Sequence, residues 1–168
     1  MPALPEVWLR GPLPDVPALL QPIAHALLQA QEELDAALAA FPDHLLAVQP
    51  AGVASVGFHL RHLAGVLDRL ATYARQEALS QAQLAYLAAE NDVPTVVDST
   101  NALLQHFHHQ VAAFLEQLRS TPEQSLTDYR PVGRAQLPST VVGLLTHAAE
   151  HTTRHVGQLL VTARIVQG

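Results

Sequence analysis

Ten histidines fall among the 168 residues of this chain, and their spacing says more than their number. His147, His151 and His155 stand four apart within the stretch HAAEHTTRH. At about 100° per residue, each step of four returns to nearly the same face of a helix. Two imidazoles one turn apart on an inward face can both reach one metal ion, as paired histidines at i and i+4 do for zinc. In an alanine-rich helix such a pair is ordinarily exposed or singly hydrogen-bonded. Here Leu144, Ala148 and Leu159 share the face of His151 and His155. Neutral imidazoles in an apolar stripe need partners for their nitrogens, and a metal supplies one to each.

A third ligand has to come from another helix, because three on one helix rarely converge. The stretch FHLRHL offers His59 and His62. His59 lies nearer the middle of its apolar stripe and His62 at the edge, so spacing leans slightly toward His59 and leaves both open. The run His106, His108 and His109 cannot all face inward, which makes most of it solvated. His25 and His44 have no ligand-like neighbours and read as surface residues.

The elements that must position these side chains read as helices. Apolar residues make up 49% of the chain and charged residues 14%, so it folds rather than staying disordered. Ala and Leu dominate, whereas β-branched residues come singly or in pairs. The length suits one domain, residues 1–168, with a proper core. Five prolines in the first 17 residues make 1–14 an extended N-terminal arm. Val16, Leu20, Ile23, Leu27, Ala30, Leu34 and Leu38 then mark one helical stripe, which Pro22 interrupts early and Phe41-Pro42-Asp43 ends. A second helix is predicted from Gly52–Ser55 to about Gln76, with Val56, Leu60, Leu63, Leu67, Leu70 and Ala74 inward. Residues 80–90 form a shorter helix closed by the loop Asn91-Asp92-Val93-Pro94. The third long helix is expected over Thr95–Arg119, with Val96, Thr100, Leu103, Phe107, Val111, Phe114 and Leu118 inward. Residues 120–138 hold a long loop, in which Asp128–Pro138 suggests a hairpin about Gly133. Pro138-Ser139-Thr140 opens the last helix, which runs to about Val166. The fold class is therefore all-α: a four-helix bundle with a short extra helix and a long loop before the last helix.

Composition removes several function classes. There is no cysteine, which excludes disulfides, cysteine-rich zinc sites and a thiolate nucleophile of the protein's own. Net charge is −6, there is no lysine, and the nine arginines are scattered, which argues against nucleic acid as a partner. The N-terminus lacks a basic start followed by an apolar run, and no stretch of about 18 uninterrupted apolar residues exists. The reading is a cytoplasmic protein with no signal peptide and no membrane span.

Two motifs then resemble a known family. HAAEHTTRHVGQLL resembles the signature of the last helix in the DinB superfamily, where two histidines four apart are followed by a small residue and Gly-Gln. PAGVASVGFHLRHLAGVLDRL resembles that family's second helix, where a Ser-Val-Gly start leads seven residues later to a histidine. That register picks His62 rather than His59. The resemblance covers nearly the whole chain in helix order and length. It implies a four-helix bundle, often dimeric, with one divalent transition metal held by His62, His151 and His155. His147 matches a histidine often seen one turn earlier and is not counted as a ligand. Imidazole suits zinc, nickel, iron and copper alike, with zinc or nickel favoured here.

Gln158 could orient a ligand or bound water, and His147 and His59 join it as possible second-layer groups around the ion. Gly157 suggests close approach of a neighbouring helix. Glu150 and Arg154 form a surface ion pair. Asp68 and Arg69 read as surface or packing residues ahead of a site role. Arg130 and Arg134, in the long loop, could hold an anionic substrate. The resemblance implies a metal-dependent transferase that activates a low-molecular-weight thiol of the bacillithiol or mycothiol type and acts on a small-molecule substrate. The alternatives are a metal-dependent hydrolase and a non-catalytic, stress-related metal-binding dimer. Hydrolysis needs a general base, and Glu150 points aside from the two histidines.

Overall fold

A computed structural model describes residues 4–90 and 99–168. Five α-helices and one small hairpin fall within them: α1 (Gln21–Leu38), α2 (Val56–Ala74), α3 (Gln81–Ala89), α4 (Thr100–Ser120), β1 (Tyr129–Val132), β2 (Leu137–Thr140) and α5 (Val141–Gln167). The four long helices form the bundle. α1 and α2 occupy opposite corners, and each packs against both α4 and α5.

Side-chain contacts fix the helix directions. The start of α4 meets the end of α1, where Asp43 accepts from the Thr100 amide at 2.7 Å and the Thr100 hydroxyl donates to the Phe41 carbonyl at 3.3 Å. The last turns of α2 and α4 lie together, since Gln117 donates to the Ala71 carbonyl at 3.0 Å. α4 therefore runs against α1 and parallel to α2. α5 runs against α2, because His59 and His62 of α2 meet His155 and His151 of α5 in reversed order.

The predicted stripes are what the bundle buries. Leu20, Leu27 and Leu34 of the first stripe, Leu60, Leu63 and Leu67 of α2, and Phe107, Phe114 and Leu118 of α4 are almost entirely enclosed. Ser55, Ser99 and Thr140 cap α2, α4 and α5, each side chain accepting from a backbone amide three residues on. Pro22 sits in the first turn of α1, where a missing amide is harmless, and a 3-10 turn at Ala18–Leu20 leads in. The loop Asn91–Pro94, the Thr95 start of the third long helix and inward Val96 lie outside the described residues.

The N-terminal arm is more ordered than the sequence implies, and the hairpin expected about Gly133 is present. The N-terminal arm is not uniformly extended: Val7–Arg10 form a 3-10 turn with Val7 buried. Its polar contacts with Gln29, Glu32 and Gln21 hold it along α1. The loop before α5 contains an antiparallel hairpin, pairing Tyr129 with Thr140 and Val132 with Leu137. Asp128 and Leu126 carbonyls accept from the Val141 and Val142 amides, so this segment also satisfies the open N-terminus of α5.

Candidate metal centre

α2 and α5 face each other through four imidazoles. One ligand atom from each of His62, His151 and His155 lies within 4.8 Å of the others, and all three side chains are half-buried. His62 Nε2 is 2.9 Å from His151 Nε2, and the rings of His62 and His151 each have their centre 4.5 Å from that of His155. Ser55, capping α2, sets the register that puts His62 on this face, and the i, i+4 step on α5 supplies the other two.

The site extends beyond the trio. His59 is 3% exposed, and its Nδ1 lies 3.0 Å from His155 Nδ1. Glu90, 4% exposed at the end of α3, places Oε2 2.9 Å from His62 Nδ1, and its Oε1 accepts from buried Arg69. α3 brings Glu90 there by folding back along α2: Ser80 and Gln83 form a capping box, Gln83 donates to Thr72 and the Tyr86 hydroxyl donates to the Arg61 carbonyl.

Electrostatics favour neutral rings. Burial, then the charges of His155 and His62, pushes the His59 imidazole down to about 4. Burial, followed by His155, His62, His147 and Arg154, likewise brings His151 down to about 4. His155 is lowered by burial first, then by His62 and Arg154. Burial alone would raise the Glu90 carboxyl, but hydrogen bonds from His62 and Arg69 outweigh it and hold the group below its ordinary value. An ionised carboxylate only accepts, so His62 carries its hydrogen on Nδ1. With Nδ1 so engaged, the nitrogen left to offer a lone pair is Nε2, which faces His151.

These residues suit a cation. Two Nε2 atoms in contact can share only one hydrogen between them, and His151 Nδ1 is buried with no protein hydrogen-bond partner among the described residues. Neutral imidazole lone pairs converging from two helices are the donors that zinc, nickel, iron and copper accept. A cleft of about 560 Å³ adjoins the site through His59 and is lined by Val53, Arg154, Gly157, Gln158, Val161 and Ile165 among others, but not by the trio itself.

Other predicted residues fall elsewhere. His147 lies on the surface beside the site: its ring centre is 5.3 Å from that of His151, and its Nδ1 is 3.2 Å from Glu150. Glu150 and Arg154 form the expected exposed pair. Gln158 is exposed and lines the cleft. Gly157 does not serve close helix packing, for a Cβ built there meets nothing within 4 Å. Arg130 is occupied by the fold, donating to the Ala74 carbonyl at 2.9 Å and to the Tyr129 carbonyl at 2.8 Å. Ala74 lies twelve residues beyond His62 on α2, roughly 18 Å along the helix. Arg134 lines a separate cleft with Tyr73 and Leu84. Neither arginine reaches the trio, because the hairpin that carries them docks at the far end of α2. His25 is half-buried rather than on the surface, with Nε2 enclosed and without a hydrogen-bond partner among the described residues; His106 and His108 are half-buried, while His44 and His109 are exposed. Arg69 is buried at the site rather than at the surface, and Glu90, expected only as the end of the short helix, stands beside it. Only the position of Arg69, seven residues after His62 and so on the same helical face, could have pointed to it.

The molecule is thus a helical bundle with a three-imidazole cluster between its second and last long helices. The family model of the DinB superfamily matches residues 26–159, and the chain belongs to that superfamily. No curated protein matches it significantly. Among solved structures it is similar to a conserved protein from Enterococcus faecalis, at 21% identity and a TM-score of 0.71, over 89% of this chain and 98% of that one. At that identity the likeness concerns the fold. Among the described residues, no helix is long and apolar enough to cross a membrane.

Proposed function

We propose that His62, His151 and His155 hold one divalent transition metal, zinc or nickel, and that the protein is a transferase acting on a low-molecular-weight thiol of the bacillithiol or mycothiol type. The convergence of three imidazole nitrogens from α2 and α5 carries this reading. When bound, a metal with three neutral histidine ligands keeps a coordination position open and lowers the pKa of a thiol or water placed there. The protein has no cysteine, so the sulfur belongs to the small molecule.

The chain's own residues would hold and orient the reactants. His59 fixes the ring of His155 through the paired Nδ1 atoms. The adjoining cleft gives an electrophile an apolar wall in Val53, Val161 and Ile165, and polar contacts in Gln158 and Arg154. Hydrolysis is the weaker reading, because it needs a free general base. Glu90 is engaged by His62 and Arg69, and Glu150 pairs with His147 and Arg154 on the outside.

Elemental analysis of protein purified without chelator or histidine tag tests the metal. About one equivalent is expected in the wild type and none in His151→Ala, as a single site with three essential ligands requires. Adduct formation between several bacterial thiols and electrophiles then tests the reaction. No turnover above the metal-free background would rule out the transferase.

A further inference from the structure

α3 buries no residue between Gln81 and Ala89, yet the next residue delivers a carboxylate into the protein. Glu90 divides its two oxygens, Oε1 to Arg69 and Oε2 to His62 Nδ1 at 2.9 Å. His62, Gly65 and Arg69 follow one another along a single face of α2 beneath it. Gly65 makes the room. A Cβ there would lie 2.7 Å from Arg69 Nη1 and from Tyr86 Cε1, and would collide with Glu90 Oε1.

A buried Arg–Glu pair is a poor stabilising device, since desolvation offsets most of its attraction. A third partner changes what the pair can do. We infer that Glu90, anchored by Arg69 over Gly65, is the positioning residue for His62: it fixes the hydrogen on Nδ1, stops the ring from turning, and leaves Nε2 as the metal-binding lone pair. The inference rests on the three-histidine metal reading above. It follows the general rule that a ligating imidazole gives its other N–H to a carboxylate, which orients the ring and raises its basicity.

Zinc affinity by chelator competition and the His62 tautomer by long-range ¹⁵N–¹H spectra of the metal-free protein test it together. Glu90→Ala should weaken zinc about 10- to 100-fold while keeping one equivalent, the size expected for loss of such a partner. Glu90→Gln, which keeps the volume and one oxygen acceptor, should recover part of that loss. Gly65→Ala touches no ligand and should weaken zinc in the same direction. His62 should be protonated on Nδ1 alone in the wild type and lose that single form in Glu90→Ala. If Glu90→Ala does not fold, Glu90→Gln and Gly65→Ala carry both readouts.

Zinc affinity unchanged in these variants while His62→Ala loses the metal would overturn the role of Glu90 and leave the ligand set intact. An unchanged His62 tautomer in the folded Glu90 variants would overturn it too. Wild type and His62→Ala binding zinc alike would instead overturn the ligand set, and the metal-free spectra would still decide whether Glu90 sets the ring.

Discussion

His59 and His155 meet through their Nδ1 atoms at 3.0 Å, and only one of those nitrogens can carry the shared hydrogen. A His155 that offers Nε2 to an ion donates from Nδ1, so His59 acts on the ion through its neighbour. His59→Ala is expected to weaken zinc by about 10-fold or more and to keep one equivalent. His155→Ala should lose the metal. Competition against a chromophoric chelator measures both, and loss of stoichiometry in His59→Ala would make His59 a ligand.

The metal-free protein should lose stability in mild acid. His59 and His151 are pushed from the ordinary 6.5 to about 4, so between those values the unfolded chain binds protons that the folded chain refuses. Stability is then full above about pH 6.5 and falls as pH drops from there through about 4. Urea midpoints across that window are the measurement. The decline should be shallower in a His59→Gln variant, which has no ring to protonate, and a flat wild-type profile would contradict the burial of the two rings.

Two glycines should respond to alanine with opposite signs. Gly57 donates its amide to the Leu46 carbonyl at 2.8 Å, and a Cβ on it would sit 2.9 Å from that same oxygen. Gly57→Ala should therefore lose about 1–3 kcal/mol, the usual effect of forcing atoms into a packed contact. Gly157 has open space around its Cβ position in the middle of α5. Gly157→Ala should gain about 0.5–1 kcal/mol from helix propensity alone. Thermal or urea unfolding reads both signs.

Arg130 ties the hairpin to the end of α2, so its role is structural. Arg130→Ala should lose about 1.5–3 kcal/mol, as expected for hydrogen bonds from a charged donor, and leave zinc affinity unchanged. Arg134→Ala should alter neither. A rise in the KM for an anionic substrate in either variant would restore the substrate-holding role that the sequence suggested.

The helices were legible because each long one carries an uninterrupted apolar stripe, and Leu27, Leu63, Phe107 and Leu159 all lie where the period puts them. His151 and His155 were legible for the same reason, being one turn apart on one helix. The choice between His59 and His62 was not. Both point toward α5, three residues apart, and periodicity ranks them by distance from the stripe rather than by what stands opposite. The resemblance to the DinB superfamily picked the residue that clusters with the pair. Glu90 was invisible because its partner lies 28 residues away and α3 has no buried stripe to announce its direction. Arg130 and Arg134 were misplaced because a loop's sequence does not say to which end of a helix it docks.

The trio joins parts of the chain that are far apart: His62 and His151 are separated by 89 positions. His151 and His155, by contrast, bring two of the three imidazoles together as soon as one turn of α5 exists. An ion held as proposed would thus be caught locally before the bundle forms, and His62 would complete the set only when α2 docks against α5. Closing so long a loop is slow compared with forming a helix turn. Refolding with metal present would then show two events on separate timescales, an early capture by α5 and a late closure that marks the meeting of the two helices.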